Sequence, residues 1–167
     1  PYALFAKSAG TSTPSGFTHY LGEAYLGGII FYLYKGSDGL EHGLIVALTE
    51  STAQWQSSAT LVNADRTEDG VSNTALMTNS PAATYIAGLG AGWYLPSIDE
   101  LGLLYYNRYS VQKALRVGGS TLLSNTANYW SSTEFGAPGA YGFTFGGGYA
   151  YDGSKTHPFT VRGVRAF

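Results

Sequence analysis

The sequence predicts one α+β domain, and three observations carry the prediction. Runs of β-branched and aromatic residues lie towards both ends of the chain, helical spacing occupies the stretch between them, and 167 residues suffice to bury a core without a staple. Gly27–Tyr34 (GGIIFYLY) and Gly43–Leu48 (GLIVAL), separated by the turn residues Gly36-Ser37-Asp38-Gly39, read as two strands of a hairpin. The polar segment from Glu50 to Gly92 has weak helical spacing at Leu76, Met77, Tyr85, Ile86 and Leu89. It predicts one helix near residues 73–87, started or interrupted at Pro81.

The clearest local signal is Leu95-Pro96-Ser97-Ile98-Asp99-Glu100-Leu101. Ser97 can accept from the N–H three residues on while Glu100 reaches back, the reciprocal box that starts a helix. Leu101, Leu104, Tyr105 and Arg108 continue it at helical spacing. From Asn128 the pattern turns to strands: Tyr129–Thr133, Tyr141–Phe145, Tyr149–Tyr151 and Thr160–Phe167, with Gly146-Gly147-Gly148 as a tight link. Before all of this, Gly10–Gly16 (GTSTPSG) separates a short apolar segment, Tyr2–Ala6, from the rest. Residues 1–16 are therefore expected to be a lead-in and residues 17–167 the domain.

Composition excludes several classes. With no cysteine there are no disulfides, Cys-ligated metals or thiol nucleophiles. Nine Lys+Arg against eleven Asp+Glu, scattered along the chain, give no basic surface for nucleic acid. No apolar stretch approaches the roughly 20 residues that cross a bilayer, so direct membrane insertion is not expected. The chain starts at Pro1 without a leader pattern, which suggests a processed chain or a fragment with any targeting signal outside it.

Catalytic and metal chemistry finds little footing. His19, His42 and His157 share no metal-binding window. Asp65, Thr67, Asp69 and Gly70 have calcium-loop offsets, yet Leu76 stands where the closing Glu belongs, so a polar turn is the better reading and no metal or cofactor is expected. Ser131, Ser132 and Glu134 lack a nucleophile elbow, and Gly146–Gly148 is followed by no Lys-Ser/Thr. No enzyme is expected.

What stands out is the last third. Phe135, Tyr141, Phe143, Phe145, Tyr149, Tyr151 and Phe159 fall in a 25-residue span with seven glycines. Strand alternation puts Tyr141, Phe143 and Phe145 on one face, most simply a core face. Tyr149, Tyr151, Asp152 and His157 flank turns, and Tyr with Gly is the composition of binding loops.

Five motifs occur in order: Gly22-Glu23 with Gly27–Tyr32, Glu41–Ala47, Gly92–Leu101, Tyr129–Glu134 and Val161–Phe167. In this series the chain resembles the domain family at the C-terminus of the Legionella collagen-like adhesin and in Bacteroidetes surface and phage-tail-like proteins. The resemblance spans about residues 19–167. It implies a C-type-lectin-like fold with paired terminal strands, two helices and a small second sheet with long loops. It further implies ligand binding by adhesins and fibre tips at an extracellular, cell-surface or phage-tail location, often as trimers on a stalk. Pro1–Lys7 resembles the lead-in of such fibrous chains, implying a homotrimer through an N-terminal stalk. The calcium-dependent lectin motifs Glu-Pro-Asn, Gln-Pro-Asp and Trp-Asn-Asp are absent, as are the cysteines of the formylglycine-generating enzymes that share the broad fold. The slightly acidic balance also departs from the basic surface with which the collagen-like adhesin binds sulfated glycans.

A further resemblance is to the variable proteins of diversity-generating retroelements, mutated at template adenines in a C-terminal segment. Asn codons so mutated never yield Lys, Gln, Glu, Met or Trp, and residues 135–153 contain none of these between two family-typical flanks. The expected partner is a protein or glycan receptor, and the expected contact residues are Phe135, Tyr141, Thr144, Tyr149, Tyr151, Asp152, His157 and Phe159. Trp130, Phe143 and Phe145 are then scaffold. The alternative from another class is a structural trimerisation or cap module of a surface fibre.

Overall fold

The β-branched run after Gly27 and the aromatic strands after Asn128 nucleate two separate sheets. In this computed structural model, which describes residues 16–167, the chain runs β1 (Ala24–Tyr25), β2 (Gly28–Lys35), β3 (Glu41–Ala47) and β4 (Ser51–Gln54). Four helices follow, α1 (Gly70–Leu76), α2 (Pro81–Ala87), α3 (Ile98–Tyr106) and α4 (Arg108–Val117). The remaining strands are β5 (Asn128–Glu134), β6 (Gly139–Thr144), β7 (Tyr149–Ser154), β8 (Pro158–Val161) and β9 (Val164–Ala166). The first sheet has the order β1-β2-β3-β9 and the second β4-β8-β5-β6-β7. The apolar segment Tyr2–Ala6 and the predicted linker, except Gly16, lie outside the described residues, as does the stalk invoked for a trimer. No helix among the described residues is long and apolar enough to cross a membrane.

Local chemistry explains the first three helix starts. Asp69 caps α1 by accepting from the Ser72 N–H, and Ser80 caps α2 from Ala83 with Pro81 in the first turn. At α3 the box is complete: Ser97 Oγ accepts from the Glu100 N–H and Glu100 accepts from the Ser97 N–H at 2.8 Å. Burial raises the Glu100 carboxyl above its ordinary range, and the Tyr94 hydroxyl donates to it at 2.7 Å.

Strand alternation then divides the core. Tyr129 and Phe143 point to the layer shared with the first sheet and the long helices, where Phe31, Val46, Leu101, Leu104 and Val111 are buried. Trp130, one residue on, points the other way and packs with Trp55, Ile86, Leu95 and Val161.

Two buried cations fasten the layers. Arg162 donates Nε to Ala47 O at 2.9 Å, Nη1 to Glu50 at 2.8 Å and Nη2 to Thr121 O at 2.8 Å. Lys155, fully buried, pairs with Glu134, donates to Thr60 O at 2.7 Å and lies 4.8 Å from the Trp55 ring centroid. Glu134 in turn accepts from the Val62 N–H at 2.9 Å and the Asn63 N–H at 2.7 Å.

Several expectations change. Four described helices stand where two were expected, because Ser80-Pro81 starts a new helix and Asn107 divides the longer helical stretch. The second sheet is the larger, since Ser51–Gln54 joins it as β4 against β8. Among the described residues β9 pairs with β3 rather than with β1. The run expected as one strand over 160–167 is two strands in different sheets. Arg162 and Gly163 make the crossing: the guanidinium anchors to the first-sheet side, and a side chain at Gly163 would meet Leu89 at 2.7 Å.

Truncating Lys155 to Ala leaves the Glu134 carboxylate buried without its cation. The expected loss is about 3–5 kcal/mol of unfolding free energy, read from urea denaturation.

Candidate functional site

The hairpin of β6 and β7 carries most of the expected contact residues, and its register decides where each one points. Thr144 faces Tyr149, Gly142 faces Tyr151 and Tyr141 faces Asp152 across the ladder. Alternation therefore puts Thr144, Tyr149 and Tyr151 on one face, and Tyr141 and Asp152 on the other.

On the first face two glycines open room for rings. A methyl group at Gly142 would stand 2.7 Å from Tyr151 Oη, and one at Gly153 would stand 2.8 Å from Phe159 and 3.0 Å from Trp130. Into that space Phe159 packs at 4.5 Å from the Trp130 centroid and 5.7 Å from Tyr151, with His157 on its outer side at 4.9 Å. Burial, with the Tyr149 phenol nearby, holds the Tyr151 hydroxyl above the ordinary tyrosine range. That hydroxyl is buried without a hydrogen-bond partner among the described residues.

On the second face Phe135 and Tyr141 meet edge to face at 5.3 Å, and Asp152 is exposed beside them. The structure thus brings Thr144, Tyr149, Tyr151, His157 and Phe159 to one side of the hairpin. Phe135, Tyr141 and Asp152 lie on the other.

Exposure divides the same set again. Tyr149 is 60% and Phe135 58% exposed, and His157 and Asp152 are exposed too. Thr144, Tyr141, Tyr151 and Phe159 are half-buried, so they shape the surface as well as form it. Phe143 and Phe145 are buried in the core with Tyr105 of α3 packed on both, whereas Tyr141, expected on the same core face, is half-buried and packs against Phe135. The chemistry available is aromatic contact, hydroxyl hydrogen bonding, one carboxylate and one imidazole.

Other sequence candidates have structural occupations. Asp69 caps α1 and pairs with Arg66 at 2.8 Å, and Ser131 donates to Tyr141 O at 2.6 Å. Glu134 holds Lys155. Sequence reasoning missed a second surface, a groove of about 690 Å³ between residues 20–24 and α4. Tyr20, Leu21, Tyr109 and Val117 line it, with Tyr109 81% and Val117 85% exposed. The signal was present as apolar residues at 109 and 117 on one helical face.

No protein-family model matches the chain, and no curated protein matches it. Among solved structures the fold is similar to that of a fimbrial protein from Bacteroides ovatus, with a TM-score of 0.65 and 18% identity. The match covers 91% of this chain and 46% of that protein, so the chain spans about half the length of its neighbour. At this identity the likeness concerns the fold.

The glycine clearings are testable on their own. Gly153→Ala should push Phe159 and Trp130 apart, cost roughly 1–3 kcal/mol and change the near-UV circular dichroism while the far-UV spectrum stays that of the parent.

Proposed function

We propose that this chain is a non-enzymatic receptor-binding domain of a bacterial surface adhesin or phage-like fibre. In this reading it has the C-type-lectin-like fold that its motif series resembles and acts outside the cell. The observation that carries the reading is the hairpin of β6 and β7. A charge-poor, glycine-rich segment between fixed flanks presents Phe135, Tyr149, Asp152 and His157 to solvent over half-buried Tyr141, Thr144, Tyr151 and Phe159. Rings of this kind offer rigid contact area at low entropic cost, to a protein or to the apolar face of a sugar. The fold shared with a fimbrial protein supports a role on a surface fibre.

Diversification by a retroelement is part of the proposal. Residues 135–153 include all of the hairpin but Ser154, together with the exposed Phe135 and Tyr149, while Tyr129, Trp130 and Val161 outside the interval are buried. Variation confined to that interval would change the surface and spare most of the core.

One observation favours the alternative of a trimerisation or cap module: the exposed groove lined by Tyr20, Leu21, Tyr109 and Val117, an apolar surface of the kind that marks interaction sites. Under that reading Tyr109→Ser with Val117→Ser converts a trimer to a monomer in sedimentation.

For the leading reading, a receptor identified by glycan-array and cell-surface screening should bind Tyr149→Ala and Phe135→Ala at least about tenfold more weakly, or about 1.4 kcal/mol. Unfolding free energies should stay within about 0.5 kcal/mol of the parent. Unchanged binding by both variants refutes the assignment. In the encoding DNA, a nearby near-copy of the segment for residues 135–153 that differs at adenines is the expected signature of diversification.

A further inference from the structure

The outer edge of β7 is an open backbone. Its ladder with β6 has a defined phase, because the Lys155 N–H donates to Pro138 O at 3.0 Å, just beyond the Gly139–Ser154 pair. Counting back by the two-residue alternation of an antiparallel ladder, Gly153, Tyr151 and Tyr149 exchange bonds with β6. Ala150, Asp152 and Ser154 therefore turn their N–H and C=O groups away from the sheet, and all three are exposed. The Ser154 carbonyl accepts from the His157 N–H at 2.9 Å; among the described residues nothing bonds to the backbone of Ala150 or Asp152 on that side.

Folded proteins ordinarily guard such an edge with Lys, Pro, a bulge, brevity or a covering element. Here β7 is six residues long, contains no Lys or Pro and pairs with β6 in unbroken register. The other sheet edges are shorter, at two residues in β1, three in β9 and four in β4. Aromatic side chains stand on both sides of the open edge: Tyr149 and Tyr151 on one face, Phe135 and Tyr141 on the other. The one charged side chain of β7 is Asp152.

We propose that β7 receives an extended peptide segment of a protein receptor as an added strand, with a basic residue of that segment opposite Asp152 and its aromatic or β-branched residues against the flanking rings. Open N–H and C=O groups spaced along a strand match another polypeptide backbone, which a glycan does not carry. This inference rests on the binding-face reading above and selects a protein over a glycan as the partner class.

The probe is a phage-displayed library of random linear twelve-residue peptides, selected on the 167-residue chain. Enriched peptides should alternate aromatic or β-branched residues with a Lys or Arg, and Ala150→Pro should weaken their binding at least about tenfold. That substitution removes an N–H that β6 does not use, so the fold is retained. Independently of any variant, backbone N-methylation along a selected peptide should abolish binding at every second residue and leave it unchanged at the residues between. Failure to enrich peptides, equal binding by Ala150→Pro, or indifference to N-methylation overturns the inference. A dimer in sedimentation that Ala150→Pro dissolves assigns the edge to a second copy and also overturns it. A glycan ligand lost with Tyr149→Ala but kept with Ala150→Pro overturns it while leaving the binding face standing.

Discussion

Two opposite charges meeting out of water hold the candidate face in place. Lys155 follows β7 and Glu134 ends β5, so their pairing ties the far side of the hairpin to the centre of the second sheet. A lysine with no water around it is costly, and here its three donor directions are answered by a carboxylate, the Thr60 carbonyl and the face of Trp55. Glu134 spends its remaining acceptor capacity on the Val62 and Asn63 N–H groups. The pair therefore organises the polar loop before α1 together with the base of β7. Both charges are buried and spent on each other and on backbone groups, which sets this supporting pair apart from the exposed side chains of the hairpin.

What local chemistry determines was readable without coordinates. The Ser97–Glu100 box and the hairpin through Gly146–Gly148 involve residues a few positions apart, and their physics is complete within a short window. Ser51–Gln54 carries no such signal. It becomes a strand because Pro158–Val161 pairs with it, more than a hundred residues later in the chain. The break at Arg162 is hidden for the same reason: its three bonds go to Ala47, Glu50 and Thr121.

The candidate site shows the same division. Alternation correctly separates Tyr141 from Thr144 along β6, but which side of the sheet meets helices is a tertiary fact. Tyr105 covers Phe143 at 5.0 Å and Phe145 at 5.2 Å, and the aromatic packing around Phe159 occupies the opposite face. The glycines also take on a specific meaning. Gly142 and Gly153 are places where rings from neighbouring strands occupy the volume a side chain would need. At these two positions the glycine and the aromatic rings beside it are one packing arrangement seen from its two sides.

The crossing at Arg162–Gly163 bears on the order in which the molecule can assemble. Leu44 pairs with Ala166, and Ser51 pairs with Val161, so both sheets wait for strands made more than a hundred residues later. Loop closure over such separations is slow compared with forming the β2–β3 hairpin or α3, whose contacts are local. A chain emerging from a ribosome would present β3 with an uncovered edge until β9 arrived. Native pairing is thus a property of the finished segment, and the open interval before it is when the protein is most exposed to pairing with the wrong strand.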